Sequence, residues 1–263
     1  MIFIHPQWQG SGLTEDLKWG AGTFLSYFKD SETTVIPLST KPLTTIANIQ
    51  CFEPILEQTI LFKEIIANSN LDKIVTLGGD CGIEIIPISY LNKLYQEDLG
   101  VVYIDAHADL NTPESSPSKA FHGMPLRMLL GEGNEAFIDL LFSRLKPEQI
   151  CYVGLRDLDE PESQYIRQHN MSTVTDCEFE SVKDKIKHFK NVYIHLDLDV
   201  LDKSEYAFSM FPANTGTYVS SVADLIRKIK ATHHVVGFCI TESTATTVEQ
   251  LNTIKPILDQ IGL

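Results

Sequence analysis

Short apolar runs enriched in β-branched and aromatic residues recur along the chain, at residues 2–5, 34–38, 74–77, 101–104, 150–153, 173–175, 192–196 and 235–240. Their length and composition predict strands. Between them lie stretches that mix apolar and polar side chains with a helical period, at residues 13–28, 53–67, 83–95, 125–130, 164–169, 178–189, 219–230 and 248–260. Asp16, Leu17 and Phe24 mark the two faces of the first of these. Strands alternating with helices predict an α/β fold, a parallel sheet covered by helices on both sides. No linker, repeat or low-complexity tract interrupts the pattern, so residues 1–263 read as a single domain. The weakest stretch, residues 111–120, is rich in Ser and Pro and reads as a site-lining loop.

Acidic clusters stand at the ends of the strand-like runs. Gly78-Gly79-Asp80-Cys81 follows the third, Asp105-Ala106-His107-Ala108-Asp109 the fourth, Asp197-Leu198-Asp199 ends the seventh, and Glu242 follows the eighth. Open parallel sheets bind ligands beyond the carboxyl ends of their strands, so these regions are expected to converge on one edge. Carboxylates and an imidazole buried there are costly unless something positive holds them. A pair of divalent cations is the most economical counter-charge and points to a hydrolytic site. Asp197 and Asp199 are two residues apart and share a face. His195 shares it too, and either stands behind the ligands or supplies an imidazole itself.

Composition narrows the function without choosing it. A net charge of −14 argues against nucleic acid and anionic membranes as partners. No apolar run approaches the roughly 18 residues of a membrane span. The start, Met1-Ile2-Phe3-Ile4-His5-Pro6, lacks the pattern of a secretory signal. The cysteines, Cys51, Cys81, Cys151, Cys177 and Cys239, are odd in number and widely spaced, so free thiols in a reducing cytoplasm are expected. His233-His234 precedes a strand, away from the acidic edge, and reads as a surface pair.

Three motifs taken in order, Gly78-Gly79-Asp80, Asp105-Ala106-His107-Ala108-Asp109 and Asp197-Leu198-Asp199-Val200-Leu201-Asp202, resemble those of the ureohydrolases, the manganese enzymes that include arginase, agmatinase and formiminoglutamase. The resemblance runs over residues 74–242. It implies a three-layer α/β/α fold around a central, mostly parallel sheet of about eight strands. Asn111-Thr112-Pro113, His122-Gly123 and Gly154-Leu155-Arg156-Asp157-Leu158-Asp159 are similar to the arginase branch. The implied cofactor is two Mn²⁺: one on Cys81, Asp105, Asp109 and Asp197, the other on His107, Asp105, Asp197 and Asp199. Asp109 would pass a proton to the leaving amine, His122 would shuttle protons to solvent, and Glu242 would anchor a guanidinium. Asn111, Ser118 and Asp159 would hold the amino-acid head of a small cationic guanidino substrate. Read by itself, Asp159 also suits the N-cap of a helix beginning at Glu160.

The implied reaction is hydrolysis of a guanidino C–N bond in arginine, or in a derivative such as Nω-hydroxy-L-arginine, releasing urea or hydroxyurea. A formiminoglutamase- or agmatinase-type ureohydrolase, or a catalytically weak metal-binding relative, are the alternatives. Family members are often trimers or hexamers, which leaves room for a homo-oligomer. The chain also departs from the pattern. Cys81 stands where arginases place a histidine ligand, as in arginase-like enzymes acting on Nω-hydroxy-arginine. The thiolate would weaken that site, alter its metal to another divalent ion, or leave it empty. Lys203 replaces a usual proline, residues 204–214 resemble a longer insertion, and the segment Pro6-Gln7-Trp8-Gln9-Gly10 is unlike the common arginase start.

Overall fold

The computed structural model describes residues 1–12 and 14–261. Among them eight strands form one sheet: β1 (Ile2–Ile4), β2 (Thr33–Val35), β3 (Ile74–Leu77), β4 (Leu99–Ile104), β5 (Ile150–Val153), β6 (Ser172–Val174), β7 (Asn191–Asp197) and β8 (His234–Thr241). The spatial order is β2-β1-β3-β8-β7-β4-β5-β6, and every pairing is parallel, where a mostly parallel sheet was expected.

Parallel strands buried on both faces need two apolar sides, and the side-chain period of two divides them. Val102, Ile104, Val192, Ile194 and Leu196 face one core. Val101, Tyr103, Ile150, Tyr152 and Tyr193 face the other. Helices α1 (Asp16–Tyr27), α2 (Phe52–Ala67), α3 (Ile85–Leu94), α4 (Pro125–Leu129), α5 (Glu135–Ile138), α6 (Glu160–Gln168), α7 (Phe179–Ile186), α8 (Val219–Thr232), α9 (Val248–Leu251) and α10 (Lys255–Leu258) cover the two sides. Ala21 and Phe24 of α1, Val182 of α7, Ile226 of α8 and Ile257 of α10 close the first core. Ile55 and Phe62 of α2, Ile88 of α3, Leu126 of α4 and Phe137 of α5 close the second.

Element boundaries differ from expectation where local chemistry intervenes. The first helix begins at Asp16, and its expected start at Leu13 lies outside the described residues. The single helix expected at 248–260 is broken into α9, a 3₁₀ turn at Asn252–Ile254 and α10, whose first turn carries Pro256. Helix α6 starts earlier than expected because Asp159, Glu160 and Pro161 form its N-terminus.

The order of strands positions the site. The chain leaves β3 and next enters the sheet at β4, on the far side of β8 and β7. From β4 the chain moves on to β5, while from the adjacent β7 it moves back to β8, and a crevice opens beyond the carboxyl ends where neighbouring strands lead off in opposite directions. A polar row crosses the sheet just below it, with Thr76 of β3 beside Cys239 of β8, then His195 of β7, Tyr103 of β4 and Tyr152 of β5 in register.

Candidate metal centre

The loop after β3 turns sharply because Gly78 and Gly79 adopt φ of +88° and +76°. A Cβ on Gly79 would sit 2.5 Å from the His5 carbonyl oxygen. Asp80, fully buried, binds no candidate ligand and instead clasps two loops together. Its Oδ1 accepts from Gly82 N (2.9 Å) and its Oδ2 from Gly10 N (2.8 Å), while Gln7 Nε2 donates to both oxygens (3.0 and 3.2 Å). The unusual N-terminal segment thereby acts as the brace of the Cys81 loop. Gly10 is required there, since a Cβ would fall 2.2 Å from Asp80 Oδ1.

Beyond β4, Asp105 is fully buried and accepts from the His107 backbone N–H at 2.7 Å. Asp109 has a left-handed backbone, φ +52°, and its Oδ2 accepts from the Tyr103 hydroxyl at 2.6 Å. At the end of β7 Asp197 Oδ1 accepts from Asp199 N at 2.8 Å, which opens a 3₁₀ turn and turns both carboxylates toward the crevice. Glu242 follows β8 with φ +63°, a conformation that costs a glutamate roughly 1–3 kcal/mol. Backbone bonds from Glu242 N to Gly79 O and from Met210 N to Glu242 O hold it there.

Three groups of donor atoms result, two of them at the crevice and a third, Glu84, His195 and Cys239, buried beneath it. Cys81, Asp105, His195 and Asp197 present ligand atoms that lie within 4.8 Å of one another, and so do Asp105, His107 and Asp199. Asp105 belongs to both of these crevice groups. His107 Nδ1 is 2.9 Å from Asp199 Oδ2, and Cys81 Sγ is 3.1 Å from Asp197 Oδ2. Asp109 lines the same cavity, with its carboxylate turned to Tyr103 and outside both groups. Sequence reasoning nominated Cys81, Asp105, His107, Asp109, Asp197 and Asp199, and the fold brings all six together around one crevice.

The cavity above them measures about 180 Å³. Its rim carries Asn111, Ser118 and Asp159; Asn111 Nδ2 donates to Asp159 Oδ2 at 2.9 Å, and Asp159 is also the N-cap of α6. His122 stands on one wall with Nδ1 3.2 Å from Glu242 Oε1, beneath the rim. Other lining groups were not singled out from sequence. Ser116 lines the rim, Glu162 accepts from the N–H groups of Leu110 and Asp159, and Phe211, in the segment read as an insertion, faces the rings of His107 and His122. Only the capping spacing Asp159-Glu160-Pro161-Glu162 could have pointed to Glu162. His233 and His234 lie at the opposite edge, where His234 Nδ1 is 3.1 Å from Asn191 Oδ1.

Crowding leaves its mark on the titration of the site. Burial and then the neighbouring Asp105 charge raise the Asp109 carboxyl well above its ordinary range; burial and then Asp199 and Asp105 do the same to Asp197, and burial and then Asp80 to Glu242. The Cys81 thiol is raised by burial and by Asp109 and Asp197. Burial works against charge on His107, but the hydrogen bond and charge of Asp199, with Asp105, lift it to about 11. Asp105 Oδ2, His195 Nε2 and Glu242 Oε2 are buried without a hydrogen-bond partner. Excess negative charge and orphaned donor atoms facing one another are what a divalent cation resolves, so the donor set fits the metals that the motifs imply.

A profile described as "Arginase family" matches residues 33–254. The chain belongs to the arginase family. An arginase of Staphylococcus aureus (strain MRSA252) is 41% identical over 157 residues, a match that takes in 55% of this chain and 52% of the relative. The chain thus spans about half the length of these curated relatives. The Entamoeba histolytica arginase, solved in complex with L-ornithine, superposes with a TM-score of 0.86 at 22% identity, covering 100% of this chain and 98% of that one. The arginase of Bacillus caldovelox gives 0.81 at 23% identity, covering 98% and 96%. At such identities these structures establish the shared fold. Among the described residues no helix is long and apolar enough to cross a membrane.

Proposed function

We propose that the protein hydrolyses a guanidino C–N bond in arginine or an arginine derivative such as Nω-hydroxy-L-arginine, releasing urea or hydroxyurea. The observation that carries this reading is the fully buried Asp105, shared by two donor groups whose members Cys81, His107, Asp197 and Asp199 line a polar cavity. Two divalent cations, Mn²⁺ in the reading from the motifs, would supply Lewis acidity and a water that ionises near neutral pH. Asp105, Asp197, Asp199, His107 and Cys81 would hold them.

The other residues divide the remaining work. Glu242 binds the guanidinium by charge-assisted hydrogen bonds. Asp109, whose carboxyl is raised by burial and by Asp105, takes a proton at the carboxylate and delivers it to the leaving nitrogen. His122, half-buried beside Glu242, exchanges protons with solvent. Asp159 receives the α-amino group, and Asn111 and Ser118 the α-carboxylate. Ornithine, which a structural neighbour holds, is what remains of arginine when urea leaves. The five cysteines are all free and buried, which supports a reducing, cytoplasmic setting.

The test is a panel of arginine, Nω-hydroxy-arginine, agmatine, guanidinobutyrate and formiminoglutamate with Mn²⁺ added. A hydrogen bond to a charged group is worth about 1.5–3 kcal/mol, so agmatine, which lacks the α-carboxylate, is expected to have kcat/KM roughly 10- to 150-fold below the best amino-acid substrate. Equal turnover of agmatine would refute the head-group assignment, and no release of urea or hydroxyurea from any substrate would refute the activity.

A further inference from the structure

Cys81 stands where the arginase motif carries an imidazole, yet the structure does not leave that side of the site without one. His195 of β7 rises from the sheet floor on the same face as Asp197, and its ring is fully buried. Its Nε2 lies 3.4 Å from Asp105 Oδ2, and neither atom has a hydrogen-bond partner. Its ring is stacked on Tyr103, with centroids 3.7 Å apart and planes 7° from parallel, which fixes where Nε2 points. Its other nitrogen, Nδ1, is within ion-pair distance, 2.9 Å, of Glu84 Oε2, a fully buried carboxylate, although neither of these atoms makes a well-directed hydrogen bond. Metal-binding histidines almost always turn their second ring nitrogen to a carboxylate, carbonyl or water, which sets the tautomer and raises the basicity of the ligating atom.

We propose that His195 and Cys81 together complete one metal site of this chain, as Cys81 Sγ, His195 Nε2, Asp105 and Asp197, with the imidazole entering from the sheet instead of from the loop after β3. The inference rests on the dinuclear reading above. Cys81 Sγ lies 3.1 Å from Asp197 Oδ2 and His195 Nε2 3.4 Å from Asp105 Oδ2, close to the separations between ligands of one ion with bonds of about 2.0–2.3 Å. A thiolate, an imidazole and two carboxylates make a softer set than the all-oxygen and imidazole set of the neighbouring group Asp105, His107 and Asp199. The site therefore takes Zn²⁺, Fe²⁺ or Co²⁺ more readily than Mn²⁺. Glu84 is its positioning residue, and Tyr103 sets the ring plane.

The experiment loads the full chain with Co²⁺ and measures metal per chain, the near-ultraviolet thiolate-to-cobalt absorption and the shifted histidine N–H protons in the NMR spectrum. Wild type is expected to hold two ions, to show the thiolate band, and to give two shifted N–H protons, one of them slow to exchange because it is buried against Glu84. Cys81→Ser is expected to lose the band. His195→Gln, checked for its fold by circular dichroism, is expected to fall to one ion and lose both the band and the slow proton. Glu84→Gln should keep the band and move the slow proton. If His195→Gln keeps two ions and the band, His195 serves only as a buried cation for Glu84 and Asp105, and this inference falls while the hydrolase reading stands. If His195→Gln fails to fold, the wild-type spectrum decides, because a single, fast-exchanging shifted proton overturns the assignment. Wild type that binds no metal overturns both readings.

Discussion

Asp80→Asn isolates the brace under the Cys81 loop, because it changes one atom and leaves volume unchanged. Asp80 Oδ1 serves Gly82 N and Oδ2 serves Gly10 N. Whichever way an asparagine amide turns, its NH₂ faces one of those backbone N–H groups, and the residue is fully buried, so water cannot substitute. One orphaned buried donor costs about 1–3 kcal/mol. Part of that is offset, because burial raises the Asp80 carboxyl above its ordinary range and the amide avoids burying a charge. The net loss is expected at about 1–2 kcal/mol, or several degrees of Tm for a chain of this size. Urea unfolding in the presence of a chelator measures the fold alone, and a metal titration then measures the loop, where Cys81 is the next residue. A variant within about 0.5 kcal/mol of wild type, with unchanged metal affinity, would show that Asp80 braces nothing.

The chelated protein is expected to lose stability as pH rises from acid through neutral. Asp109, Asp197 and Glu242 have folded-state values above their unfolded ones, so their contribution is present below the ordinary carboxylate range and is lost as pH climbs through the raised values. Divalent metal should remove that slope, and a flat Tm between about pH 5 and 8 in chelator would contradict the electrostatics. His5 works in the opposite sense: burial lowers it from 6.5 to about 3, so its contribution is lost as pH falls through that window, and His5→Phe should flatten the acid limb of the Tm profile. Asp105→Ala should empty both donor groups, and metal analysis showing two ions retained with near-normal turnover would sink the shared-ligand assignment.

Much of the sheet was legible because its strands are short and bounded by turn residues, and because both faces are apolar. Ile74–Leu77 and Ile150–Val153 matched to the residue. Helix ends were less legible, since Pro256 divides one long periodic stretch and α5 is too short to show a period. The strand-end rule places Cys81, Asp105, Asp197 and Glu242 on one edge from sequence alone, because position along a parallel strand decides which edge a residue meets. What stayed hidden depends on contacts between segments with no fixed spacing. Phe211 reaches the crevice from an irregular loop, and Glu84 is aimed at His195 from another element. The partnership of Asp80 with Gln7 and Gly10, 73 and 70 residues away, has no local signature at all.

The strands whose ends carry the candidate ligands are side by side in space but far apart in the chain: Cys81 meets Asp197 across 116 residues and Thr241 across 160. Loop closures of that length are among the last and slowest events when a chain folds. Short stretches hold pairs of donors, Asp105 with His107 and Asp197 with Asp199, but neither crevice group is complete until β4 and β7 stand side by side. Metal capture should be a late kinetic phase whose rate follows completion of β7 and β8 beside β3. Arrival of the ion, followed in time, would thus be a clock for the closing of the sheet.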